Sequence, residues 1–180
     1  MTTLSKIGPK EFIFRVLSGV AVGIVAGLVP NAILGEIFKY LMQFHPIFKT
    51  LLGVVQAIQF TVPALVGALI ALKFNLTPLA MAVVASASYV GSGAAQFKNG
   101  TWVIAGIGDL INTMITASIA VLLILLIEHR VGSMALIVYP TIVGGISATI
   151  GVLILPYVHM ITTGIGNMIN SFTELQPVLM

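Results

Sequence analysis

The chain has 180 residues, 58% of them hydrophobic and only 7% charged, with a mean hydropathy of +1.13. A soluble domain carries roughly 25% charged residues, so this chain lacks the charges to cover a water-facing surface and takes the bilayer as its solvent. The net charge of +3 is spread singly at segment ends, which suits lipid headgroups and not nucleic acid, and the absence of cysteine excludes disulfides, thiolate catalysis and Cys-based metal sites.

A helix crosses the hydrocarbon with about 20 apolar residues, and five stretches reach or approach that length. The first, Phe12 to Val29, closes at Pro30-Asn31 and carries Gly19, Gly23 and Gly27 on one face, where another helix can approach closely. Ala32 to Phe48 then mixes Glu36, Lys39, Gln43 and His45 with Ile, Leu and Phe, which predicts an amphipathic helix in the interface. The second span, Leu51 to Leu72, holds Gln56, Gln59 and Pro63 on one face. Proline should kink it and free a carbonyl near Gln59, making this face a cavity wall.

The third span, Leu76 to Ala95, ends in small residues around Gly91-Ser92-Gly93, so it either packs centrally or unwinds where backbone lines a cavity. Phe97-Lys98-Asn99-Gly100 reads as a loop with a turn at its end. The fourth span, Thr101 to Ile127, contains Asp109, Asn112, Thr113 and Thr116 at i, i+3, i+4 and i+7, a polar stripe that must face protein or a water-filled cavity. The fifth, Met134 to Leu155, closes at Pro156. Trp102 and Tyr139 read as interface anchors, and His159, alone beside Pro156, reads as structural or interfacial.

One phrase occurs twice: Gly106-Ile107-Gly108-Asp109-Leu110-Ile111-Asn112 and Gly164-Ile165-Gly166-Asn167-Met168-Ile169-Asn170. Gly-x-Gly followed by a polar residue predicts two interrupted helices, restarted by Asp109 and Asn167. An ionisable group in a span is costly and marks a functional position, so Asp109 has two readings, a proton relay and a helix cap. Asn in the matching place caps as well as Asp but carries no proton, which favours the cap. Half-helices that begin inside a membrane aim their N–H groups at a shared site. The expected substrate-binding set is Asp109, Asn112, Thr113, Gln56, Gln59, Asn167 and Asn170.

The fold class expected is therefore an all-α membrane protein with about five transmembrane helices, interrupted or re-entrant segments and an interfacial amphipathic helix. It forms a single transmembrane domain over residues 1–180. Leu175-Gln176-Pro177 looks like the opening of a further helix, and with the odd span count it suggests one half of a larger transporter-like unit or a protomer needing a partner, a homo-oligomer. Lys6, Lys10, Arg15, Lys73 and Arg130 on one side against Lys39, Lys49 and Lys98 on the other favour a cytoplasmic N-terminus. No nucleophile–base pair, carboxylate pair, dinucleotide fingerprint or metal-ligand cluster is present, so no enzyme, cofactor or metal is expected.

The opening Phe12 to Gly19 with Gly27-Leu28-Val29-Pro30-Asn31, the run Tyr89 to Ala94, the phrase Gly108 to Thr113 and the closing Leu175-Gln176-Pro177 resemble the EIIC-like membrane proteins of the bacterial phosphotransferase system, in the branch of perfringolysin-regulator-type proteins. The resemblance spans nearly the whole chain and the N-terminal part of longer members. It implies a multi-pass protein of the bacterial inner membrane that binds a small polar, sugar-like substrate, with membrane lipid as surroundings and the phosphoryl group carried by separate soluble domains. Two alternatives stay open: a membrane sensor that binds a small molecule without moving it, and an oligomeric channel.

Overall fold

The computed structural model describes residues 7–174, so Leu175-Gln176-Pro177 lies outside the described residues. Helix α1 (Pro9–Leu41) opens on extended Gly8, with proline in its first turn, where a missing N–H costs nothing. It then runs straight through Pro30. The expected stop at Pro30-Asn31 is absent, and Ala32 to Leu41 extends α1 instead of forming a separate interfacial helix. Proline removes one hydrogen bond, but in an apolar medium the neighbouring backbone has no water to turn to, so helix remains the favoured state.

A short turn through His45 leads to α2 (Ile47–Gln59), which folds back along α1 and is exposed along most of its length. The expected second span is divided: α2 and α3 (Val62–Lys73) meet at a 43° bend around Phe60-Thr61, with Pro63 in the first turn of α3. Helix α3 lies against the glycine face of α1. A Cβ on Gly19 would come within 2.6 Å of Ile70 Cα, and one on Gly23 within 2.6 Å of Val66 Cα, so the two backbones touch because side chains are missing. At the polar end of this pair Arg15 donates to the carbonyl of Lys73 (3.1 Å) and covers the Phe74 ring. It satisfies one of the carbonyls that the end of α3 leaves open.

Thr77 caps α4 (Pro78–Gly91) by accepting from the Ala80 N–H. The third expected span thus shrinks to 14 residues. The loop expected after it is a β-hairpin, β1 (Ala95–Lys98) with β2 (Thr101–Ile104), pairing Phe97 with Trp102. Asn99 and Gly100 both have positive φ (51° and 81°), which is the two-residue turn that Asn-Gly favours because its twist matches that of the strands. The fourth span begins only at Leu110, since Thr101 to Ile104 is strand. Helix α5 (Leu110–Val131) ends at Gly132, φ +48°, and the chain reverses.

A single turn of helix, α6 (Ala135–Val138), widens into a π-turn over Tyr139–Gly144 that contains Pro140. Tyr139 is buried at 4% exposure, so it belongs to the core and is not an interface anchor. Helix α7 (Gly145–Glu174) then runs unbroken through Pro156 and through Gly164-Ile165-Gly166. The core is the apolar meeting of α3, α4, α5 and the π-turn, built on Val62, Val66, Ile70, Val84, Val121, Ile124 and Val143. By length and apolar composition α1 and the stretch Leu110–Ser171 qualify as membrane-crossing, as does the bent α2–α3 pair taken as one. The protein is an all-α membrane protein with one small hairpin set into it.

Candidate functional site

At the first Gly-x-Gly no helix is interrupted, because strand β2 precedes it; the phrase instead turns the chain into the start of α5, and the causes of that turn are visible. Gly106 and Gly108 have φ of +127° and +69°, values that residues with a Cβ rarely adopt. A Cβ on Gly108 would lie 2.7 Å from the carbonyl oxygen of Ser92. This close approach lets the Asp109 N–H donate to that oxygen (2.8 Å), which fastens the start of α5 to the end of α4. Asp109 is the N-cap of α5: Oδ1 accepts from the Asn112 N–H at 2.9 Å.

Its other oxygen has a different position. Oδ2 is buried and has no hydrogen-bond partner, although the side chain is only 2% exposed. Asp109 lines a cleft of about 860 Å³ bounded by Ser92, Gly93 and Gln96 after α4, by Ala105 to Ile111 around the turn, and by Val152, Leu155, Pro156, His159 and Thr162 on α7. Ligand pockets usually measure roughly 300–1,000 Å³. Nδ1 of His159 stands beside Oδ2 at 3.8 Å, close enough to attract it when protonated but beyond direct hydrogen bonding. A buried acceptor without a partner is expensive unless a donor reaches it, and Asp109 borders the cleft from which a donor would come once the oxygen is uncovered.

Behind Asp109 the polar stripe of α5 holds helices together. The Asn112 amide donates to the carbonyls of Gly91 (2.5 Å) and Gly151 (2.8 Å), so one side chain ties α4 and α7 to α5. The Thr113 and Thr116 hydroxyls donate to the Asp109 and Asn112 carbonyls of their own helix. All three residues are fully buried, and none lines the cleft. Gly91 and Gly151 are needed at the crossing, where a Cβ on Gly151 would sit 2.8 Å from Gly91 Cα.

The other expected site residues lie elsewhere. Gln56 is exposed and Gln59 half-buried on α2, and neither borders the cleft. Asn167 and Asn170 are exposed on a continuous helix, so Asn167 caps nothing and the second break is absent. Nothing stands within 4 Å of a Cβ placed on Gly164 or Gly166: glycine permits a break, but at this place no neighbour demands one. Conversely, His159, Thr162, Gln96 and Ser92 border the cleft without having been singled out as a site. Val152, Leu155, Pro156, His159 and Thr162 fall at i, i+3, i+4, i+7 and i+10, one helical face that sequence spacing already contained. Among the described residues no group of three or more His, Asp or Glu is placed to hold a metal ion.

A family model described as "Phosphotransferase system, EIIC" matches residues 14–180. The chain belongs to the phosphotransferase-system EIIC family. No curated protein and no solved structure shows significant similarity to it. As an EIIC protein it is an integral membrane component of sugar transport. The cleft beside Asp109, mostly apolar with a few polar groups on its wall, lies within the matched residues and opens where helix gives way to hairpin.

Proposed function

We propose that this EIIC protein binds a sugar-like solute in the cleft beside Asp109 and carries it across the bacterial inner membrane, with its N-terminus in the cytoplasm. One observation carries the reading: Asp109, whose Oδ2 is buried without a hydrogen-bond partner, lines a cleft large enough for such a solute. A sugar hydroxyl supplies the missing donor. Gln96, Ser92, Thr162 and His159 around the cleft offer further polar contacts, and Leu155, Pro156 and Val152 offer an apolar wall for the face of a sugar ring. The bond from Asn112 to both flanking helices keeps the cleft walls in register, as preorganised binding requires. The orientation rests on Arg15, Lys73 and Arg130. Arg15 bonds to the Lys73 carbonyl, and Arg130 lies at the end of α5 away from the cleft, so the three basic residues gather on one side.

The test is equilibrium binding of a panel of radiolabelled sugars to the purified protein in lipid nanodiscs, for the native chain and for Asp109→Asn and His159→Ala. Saturable binding that both substitutions weaken supports the proposal. Saturable binding indifferent to both places the site elsewhere and sinks it. Counterflow in proteoliposomes then separates transport from sensing: a binder without flux is a sensor.

A further inference from the structure

We propose that the β-hairpin is a lipid-interface anchor, with the Phe97–Trp102 pair seated at headgroup level and Lys98 among anionic headgroups. Phe97 and Trp102 are cross-strand partners with ring centroids 5.4 Å apart, yet they stay 62% and 67% exposed. Ile104 on the same hairpin is 61% exposed. No helix of the described chain covers this surface, and water is a poor solvent for it.

Length places the hairpin at the membrane boundary. Helix α4 has 14 residues, about 21 Å at 1.5 Å each, which falls short of the roughly 30 Å hydrocarbon core. Strand β1 adds 4 residues, about 13 Å at 3.3 Å each. Laid end to end the two elements would measure about 34 Å between the polar turns at Lys73-Asn75 and Lys98-Asn99, so the hairpin tip is the part of this arm that meets the interface. The polar turn at the tip, Lys98-Asn99-Gly100, belongs among headgroups and water. An aromatic pair one residue below a polar turn is the composition of an interfacial belt. The basic side chain of Lys98 at the turn adds attraction to anionic headgroups.

The anchor bears on the cleft as well. The hairpin legs leave it at Gly93 and Gly106, both with positive φ, and are joined at their base by the Ala105 N–H donating to the Ala94 carbonyl (2.8 Å). Fixing the tip in the interface therefore holds the cleft's rim.

Trp102 is the sole tryptophan of the chain, so its fluorescence reports the hairpin alone. The full protein is placed in nanodiscs made with lipids brominated close to the headgroup or close to the chain end. The proposal expects blue-shifted emission and stronger loss of emission from the shallow label. Quenching by aqueous iodide with no effect of either bromolipid would overturn it, as would stronger quenching from the deep label. Protection from iodide and bromolipid alike, lost on dilution to one chain per disc, would assign the surface to a second copy and also overturn it. Lys98→Glu should weaken shallow quenching in anionic discs and leave zwitterionic discs unchanged. Equal quenching of both forms in anionic discs refutes the headgroup contact.

Discussion

The free carboxylate oxygen of Asp109, at the start of α5, stands 3.8 Å from Nδ1 of His159 on α7, and both residues line the same cleft. The same carboxylate caps α5 through its other oxygen. The two oxygens have separable tasks, so a substitution that keeps one and alters the other distinguishes them. Asn caps as well as Asp. Asp109→Asn should leave the thermal midpoint unchanged or raised while weakening sugar binding at least about tenfold, or about 1.4 kcal/mol. Asp109→Ala should lose binding and also about 1 kcal/mol of stability with the cap. Calorimetric binding and thermal unfolding of both variants in one detergent check the split.

Asn112 acts as a tie between helices and does not touch the cleft. Asn112→Leu removes two interhelical hydrogen bonds, each worth roughly 0.6 to 1.7 kcal/mol in a membrane protein. The expected loss is about 1–3 kcal/mol by that measure, seen as a lower unfolding midpoint. If Asn112→Leu instead lost binding at full stability, the side chain would be reaching the solute and this account of it would be wrong.

Gly23 faces Val66 with no space for a side chain. Gly23→Ala should lower stability by about 1–3 kcal/mol, as overpacking of a close contact does. Gly53→Ala, in the middle of α2 with nothing within 4 Å of the added Cβ, should be neutral or stabilising. Comparable losses in both would show that the glycine face of α1 does not meet α3.

The two copies of the Gly-x-Gly phrase should respond in opposite directions. Gly108 has φ +69° and its Cβ would strike Ser92, so Gly108→Ala should destabilise the protein and disturb the cleft. Gly164 is helical and unobstructed, so Gly164→Ala should stabilise α7 by roughly 0.5–1 kcal/mol. A destabilising Gly164→Ala would restore the second break.

Much of the molecule was legible in the chain itself. Hydropathy settles the bilayer as solvent, because no arrangement of so few charges can wet the surface. The glycine spacing in α1 marks a close helix contact, because helical geometry puts every fourth residue on one face. The Asp109 cap follows from the local chemistry of a short side chain beside orphan N–H groups. Asn99-Gly100 between Phe97 and Trp102 was a readable hairpin signal, hidden by the surrounding hydropathy.

Tertiary structure decided the rest. The same Gly-x-Gly phrase turns the chain at Asp109 and stays helical at Asn167, because only the first has a partner, Ser92, whose carbonyl needs a bare Cα beside it. Pro30 and Pro156 stay inside helices because the apolar surroundings give the backbone no better alternative. The polar stripe of α5 divides, with Asn112 and Thr113 turned to packing and Asp109 to the cleft, according to where α4 and α7 cross α5. His159 joins Asp109 for the same reason: sequence sets which residues share a helix face, and the crossing of helices sets what that face meets.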